Sequence, residues 1–226
     1  GTSGLWRSPS GIAVGSEGSV YVTQSEAQRV THTAGGVSIP AALFSSRGAL
    51  AWPTDITALA DGFLVSNPVD LLTGTEQAIV HLDSDGNQSI WQSTLGSGNA
   101  PRSIDGYLSE DLLQTAIIGV DQDTGLYRFD ASGGAVDTHQ FIMGCPLSGV
   151  SGLGALAGDR ITATTPDCDA VFSTGAFGEP HSTGDHIAQL PDPIAVTQHP
   201  TADQLAVITS TGIFVVDDCG ANDGSC

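Results

Sequence analysis

The stretch from Pro9 to Val30, PSGIAVGSEGSVYVTQSEAQRV, recurs in weaker form four more times, each copy opening with a Pro- or Gly-led apolar step. The openings fall at Ile12, Ile56, Ile104, Leu153 and Ile194, a repeat of about 45 residues. A unit of that length, holding several short apolar runs, cannot bury both faces of its own sheet. Copies must therefore stack against one another around an axis. The pattern predicts an all-β chain: a five-bladed β-propeller of mostly four-stranded antiparallel blades, with residues 1–226 forming a single domain.

Repeat one supplies strands at Gly11–Val14, Val20–Thr23 and Arg29–Thr33. Repeat two supplies DITAL, FLVSN, AIVHLD and QSIWQS, with ADG and DSDGN as the Asp/Gly turns that tight hairpins require. Repeat three supplies SIDGYL, LLQTAI, LYRFD and AVDTHQF; repeat four supplies GLGAL, RITATT and AVFST; repeat five supplies PIAVTQ, LAVITS and IFVVD. VYVTQ and LYRFD alternate as half-covered strands do, whereas IAV and LAVI are continuous enough for inner strands covered on both faces. Repeat five lacks an outer strand after IFVVD. Ser3–Trp6 is expected to pair there, closing the ring and removing an open edge.

Charge narrows the partners. The chain carries 25 Asp and Glu against six basic residues, all of them Arg, for a net charge of −19. Such a chain repels phosphate backbones and anionic membrane surfaces, so nucleic acid is excluded as a partner. Without lysine there is no Schiff-base chemistry and no phosphate-cradling GxxxxGK[ST] loop. No run of 18 apolar residues exists to make a transmembrane helix. The chain opens GTSGLW, with neither an initiator Met nor a charged-then-apolar leader, which reads as a processed or trimmed form.

The four cysteines are Cys145, Cys168, Cys219 and Cys226. An even number in loops, with no CxxC pair and no zinc-type His spacing, reads as two disulfides formed in an oxidising compartment. In a four-stranded blade, Cys145 and Cys168 share one rim, within reach of each other. Cys219 and Cys226 close a C-terminal loop over residues 219–226. The expected location is extracellular, at the cell surface or periplasmic.

Pro9, Gly11-Ile12-Ala13-Val14, Gly18, Val20-Tyr21-Val22-Thr23 and Arg29-Val30 together resemble an NHL-type β-propeller repeat, and LYRFDASGG at 126–134 resembles the end of the same unit. Gln24 stands where that family usually has Asp, repeats two, four and five match mainly in strand order, and NHL propellers commonly have six blades. The resemblance implies a rim presented to protein partners.

Candidate sites follow from that geography. The rim with the longest loops carries Trp52, Asp55, Arg102 and Asp192 at the starts of the inner strands, the default binding face of such a fold. Asp121 and Asp123 in GVDQDTG offer alternating oxygens to calcium, although neither belongs to a twelve-residue calcium loop. His181, Asp185 and His186 in PHSTGDH form the local cluster of nitrogen and oxygen ligands, in a segment read as a surface loop. His32 and His81 fall at the same place in successive repeats and read as a structural slot. Asn87-Gln88-Ser89 is an N-glycosylation sequon in a turn. No GxSxG elbow or other catalytic spacing occurs, so no catalytic residue and no required cofactor is expected.

The expected function is a secreted or cell-surface binding or assembly module, without catalysis, for a protein or an extracellular matrix or glycan partner. A carbohydrate-binding, lectin-like propeller is the alternative, although three Trp and three Tyr give few sugar platforms. A hydrolase or lyase with a channel metal is the third reading.

Overall fold

The computed structural model describes residues 8–15, 18–33, 42–46, 48–68, 78–92, 101–108, 114–120, 126–130, 135–139, 151–156, 160–165, 169–174, 186–198 and 204–217. They form strands and turns with no helix. Sheet one runs in the order β1 (Pro9–Val14), β2 (Val20–Gln24), β3 (Arg29–Thr33) and β4 (Ala42–Ser46). Sheet two is β5 (Asp55–Leu59), β6 (Gly62–Asn67), β7 (Ala78–Asp83) and β8 (Gln88–Gln92). Sheet three is β9 (Pro101–Leu108), β10 (Gln114–Val120), β11 (Leu126–Asp130) and β12 (Ala135–His139). Sheet four is β13 (Gly152–Leu156), β14 (Arg160–Thr165), β15 (Ala170–Thr174) and β16 (His186–Gln189). Sheet five holds β17 (Pro193–Gln198), β18 (Gln204–Thr209) and β19 (Gly212–Asp217). Each strand pairs with its sequence neighbour, so every sheet is an up-and-down meander.

Local chemistry sets these hairpins. Leu59 pairs directly with Gly62, leaving Ala60-Asp61 as a two-residue turn, and Gly62 holds a φ of 150° that side chains rarely adopt. In the β7–β8 turn, Asp83 Oδ1 accepts the backbone N–H groups of Asp85 and Asn87, both at 2.9 Å. Thr209 Oγ1 accepts the Thr211 N–H at 3.1 Å in the β18–β19 turn.

The chain divides into two compact units, Gly1–Gly106 and Tyr107–Cys226. The first is built on Ala13, Val30, Leu50, Ile56, Phe63, Val65, Val80 and Leu82. The rings of Tyr21, Phe44 and Phe63 meet at its margin, with the Tyr21 and Phe63 centroids 4.1 Å apart. Among the described residues of the second unit, Val171, Val196, Leu205 and Val207 form a core cluster.

Three expectations need correction. Repeats one and four each end in a fourth strand, β4 and β16, beyond the three expected, and His186, expected in a surface loop, opens β16 opposite Phe172. The fifth opening moves from Ile194 to Val196. In β1 the register skips Ser10 and pairs Ile12 with Val22, while in β17 it skips Ile194 and pairs Val196 with Val207, so Ile194 matches Ser10. Finally, the IAV of β1 and the LAVI of β18 are covered on one face only: Ile12, Val14 and Ile208 are 67%, 59% and 46% exposed, whereas Leu205 and Val207 are fully buried. A continuous apolar run shows what a strand tolerates, and burial depends on what packs against each face. Ser3–Trp6 and all four cysteines lie outside the described residues.

Candidate binding site at the lead-in to the inner strands

In the first unit the lead-in to β5 is locked from three sides. The Asn67 side chain, 1% exposed, accepts the Trp52 N–H at 2.7 Å and donates to the Ala49 carbonyl at 3.0 Å. The Pro53 carbonyl accepts the Ser10 and Ser25 hydroxyls, each at 2.8 Å. Thr54 and Ser66 share a hydroxyl–hydroxyl bond of 3.0 Å. The backbone of Trp52 is thus fixed while the residue stays 42% exposed. An open aromatic residue on a fixed backbone is a recognition element that needs no backbone ordering on binding.

Asp55 is different. Its Oδ2 accepts the Ser103 hydroxyl at 2.6 Å and the Ile104 N–H at 3.0 Å, and its Oδ1 accepts the Ile56 N–H at 2.9 Å. The residue keeps part of its surface open, but its carboxylate is enclosed. Burial pushes its pKa from 3.8 up to about 6 against the pull of those three hydrogen bonds, and the nearby Asp105 carboxylate adds to the rise. Asp105 Oδ1 in turn accepts the Thr57 hydroxyl at 3.3 Å. The oxygens of Asp55 are committed to the protein.

Arg102 is the second residue of β9. Asp192 belongs to the second unit, exposed and with a φ of 46°. Its N–H donates to Asp169 Oδ1 at 2.9 Å, and its Oδ2 accepts the Ser210 hydroxyl at 3.1 Å. Asp192 therefore pins the lead-in of β17 to the β18–β19 turn.

Of the metal candidates, Asp121, Asp123, His181 and Asp185 lie outside the described residues. Among the described residues no group of three His, Cys, Asp or Glu converges on one point. The histidine slot is real in register: His32 pairs with Tyr21 and His81 with Leu64, in strands whose neighbours Val22 and Val65 face Ile12 and Ile56. His32 stacks on Tyr21 with centroids 5.5 Å apart, while His81 Nε2 lies 3.6 Å from Asp61 Oδ1. No helix among the described residues is long and apolar enough to cross a membrane.

Two features escaped the reading of the sequence. Gln24, fully buried, donates through Nε2 to Thr31 Oγ1 at 2.9 Å and accepts from Arg29 Nη2 at 3.1 Å, so the amide ties the β2–β3 corner together. The second is a repeated staple. Ser10 bonds Thr23 Oγ1 at 3.0 Å and the Pro53 carbonyl, and Ser151 bonds Thr164 Oγ1 at 2.9 Å and the Pro193 carbonyl at 2.8 Å. The shared Ser-Gly-apolar step at Ser10-Gly11-Ile12 and Ser151-Gly152-Leu153 was its signal in the sequence.

No protein-family model and no curated protein matches the sequence. Solved structures match in fold. A chain of the nidogen/laminin complex superposes with a TM-score of 0.70 at 15% identity, covering 92% of this chain and 75% of that one. The PQQ-bound aldose sugar dehydrogenase of Streptomyces coelicolor gives 0.62 at 15% identity, covering 90% and 77%. A protein assigned as a gluconolactonase gives 0.65 at 16% identity, covering 92% and 73%. These similarities, with the sheet order, show an all-β, propeller-type fold with several antiparallel four-stranded sheets.

Proposed function

We propose that this chain is a non-catalytic binding or assembly module of the NHL-like propeller type, working through one loop-rich rim on which Trp52 is the anchor. The observation that carries this reading is the pairing of an open indole with a backbone held by Asn67, since rigid aromatic side chains dominate recognition surfaces. A fold neighbour that is part of a protein complex, nidogen with laminin, supports a protein or matrix partner. The net charge of −19 favours a basic or neutral partner surface and disfavours nucleic acid.

Five blades closed by Ser3–Trp6 on β19, disulfides among Cys145, Cys168, Cys219 and Cys226, and an extracellular, cell-surface or periplasmic location belong to the same proposal. Calcium at Asp121 and Asp123 is its optional ion. A second reading, sugar binding, is favoured by Trp52, because an exposed indole also stacks on a pyranose. A third, enzymatic reading draws on the fold neighbours, an aldose sugar dehydrogenase and a protein assigned as a gluconolactonase.

The test compares wild type with Trp52→Ala in capture of partners from extracts of the native source, on a glycan array, and in assays of aldose oxidation and lactone hydrolysis. A protein captured by wild type and lost with Trp52→Ala supports the binding reading. Glycan signals that vanish with the variant transfer the case to sugar recognition, and turnover by wild type overturns the non-catalytic assignment.

A further inference from the structure

Gly11, Asp55 and Gly152 hold one equivalent position. Each precedes the apolar residue, Ile12, Ile56 or Leu153, that faces Val22, Val65 or Ala163 on the second strand. At the two glycines the next sheet comes in against bare backbone. A Cβ on Gly11 would fall 2.5 Å from Asp55 Cα, and one on Gly152 would fall 2.6 Å from Ala195 Cα. Neither junction leaves room for a side chain. Sheet two carries an aspartate at this position, and its carboxylate crosses to β9 and takes the Ser103 hydroxyl and the Ile104 N–H. The β5–β9 junction is therefore spaced by a carboxyl group.

Burial between the packed strands and the Asp105 carboxylate bias that group toward the neutral form, against the three donors that favour the anion. From β9 it faces Asp105, and from β1 it faces the uncharged Gly11 backbone, whose added Cβ would lie 2.7 Å from Asp55 Oδ1. The 2.6 Å separation from Ser103 Oγ suits a hydrogen bond with the proton on either oxygen, so protonation reverses that bond instead of breaking it.

We propose that Asp55 is a proton-responsive spacer of the β5–β9 junction: as an anion it loads the junction with buried charge beside Asp105, and on taking a proton it removes that charge and stabilises the first unit. The sign follows from linkage. A carboxyl pKa raised from 3.8 to about 6 means that the folded state binds the proton about 100-fold more tightly than the unfolded chain. Stability from this group is absent above the folded pKa, grows as pH falls through about 6, and levels off below 3.8. Most buried carboxylates that are paired behave in the opposite sense.

The experiment is urea unfolding of the full chain from pH 7.5 to 4.5, in high salt to screen the general surface charge, for wild type and Asp55→Asn. It is joined by a carbon NMR titration of the Asp55 carboxyl. Wild type is expected to gain stability on acidification with a slope approaching one proton. Asp55→Asn is expected to lose that gain, and the carboxyl resonance to titrate near 6. Parallel pH profiles for the two proteins, or a carboxyl midpoint at or below 4, overturn the proposal. Should Asp55→Asn fail to fold, the NMR midpoint in wild type decides alone.

Discussion

Sheets two and five carry nearly the same third strand, AIVHLD in β7 and GIFVVD in β19, and treat it in opposite ways. In β7, Ile79, Val80 and Leu82 are all 0% exposed; in β19, Ile213, Phe214 and Val215 are 72%, 38% and 66% exposed. β7 pairs on both sides, with β6 and β8, whereas β19 pairs with β18 alone among the described residues. Apolar content thus marks the slot a strand was built for, and what packs against its faces decides whether that slot is sealed.

The sharpest way to break this contrast is truncation of one apolar residue in each sheet. Ile79→Ala should cost about 2–5 kcal/mol in chemical unfolding, as buried isoleucines do. Ile213→Ala, at the matching position of β19, should stay within about 0.5 kcal/mol, as exposed sites do. A cost at Ile213 matching that at Ile79 would mean that something packs on that face of β19, whereas pairing with Ser3–Trp6 would cover its backbone edge and leave the neutral outcome in place.

Next in size is the titrating spacer. Sheet two has Asp55 where sheet five has Ala195, so pH should act on one and spare the other. An Asn amide cannot accept all three hydrogen bonds made to Asp55, so the readout is the slope: the stability difference between Asp55→Asn and wild type should shift by up to about 3 kcal/mol toward wild type as pH falls from 7.5 through 6, levelling off below 3.8. Hydrogen exchange followed against pH should report this slope in 101–105 and show none in 204–217.

A smaller effect separates two turn glycines. Gly62→Ala combines a φ of 150° with a Cβ driven into the Leu82 carbonyl, and should cost about 1–3 kcal/mol by thermal melting. Gly212→Ala meets open space and should be neutral or slightly stabilising.

The smallest concerns the β7–β8 turn. The Asn87 side chain, then its backbone N–H, holds the exposed Asp83 below the usual carboxylate range. Its support is present above pH 3.8 and fades as pH falls through the lowered value. Asn87→Ala should let the Asp83 carboxyl titrate closer to 3.8 by NMR, with little change in melting temperature.

Much of the strand plan was readable because inner and middle strands carry dense apolar runs bounded by Gly, Pro and Asp. Among the outermost strands, β8 and β12 were legible as QSIWQS and AVDTHQF, but β4 and β16 were not. β4 reads ALFSS and β16 reads HIAQ, since a strand at a sheet edge needs few apolar residues and gives a weak periodic signal. The slip at Ile194 has another cause: PIAV in β17 looks like GIAV in β1, but the bulge after the opening proline falls inside that phrase in β17, at Ile194, and ahead of it in β1, at Ser10. At the site, Trp52 and Asp55 were visible as residues but not in their roles. Asn67, Ser103 and Ile104, which decide those roles, are brought in by sheet packing from 15, 48 and 49 residues away. Such pairings leave no local trace in a chain.

The staples from Ser10 and Ser151 bear on how the molecule comes apart. Each hydroxyl spans from one meander to the carbonyl of the proline that opens the next, so loosening either partner leaves the other with an unmet polar group. Adjacent meanders joined in this way should melt as cooperative pairs, sheet one with sheet two and sheet four with sheet five, instead of fraying singly from their ends.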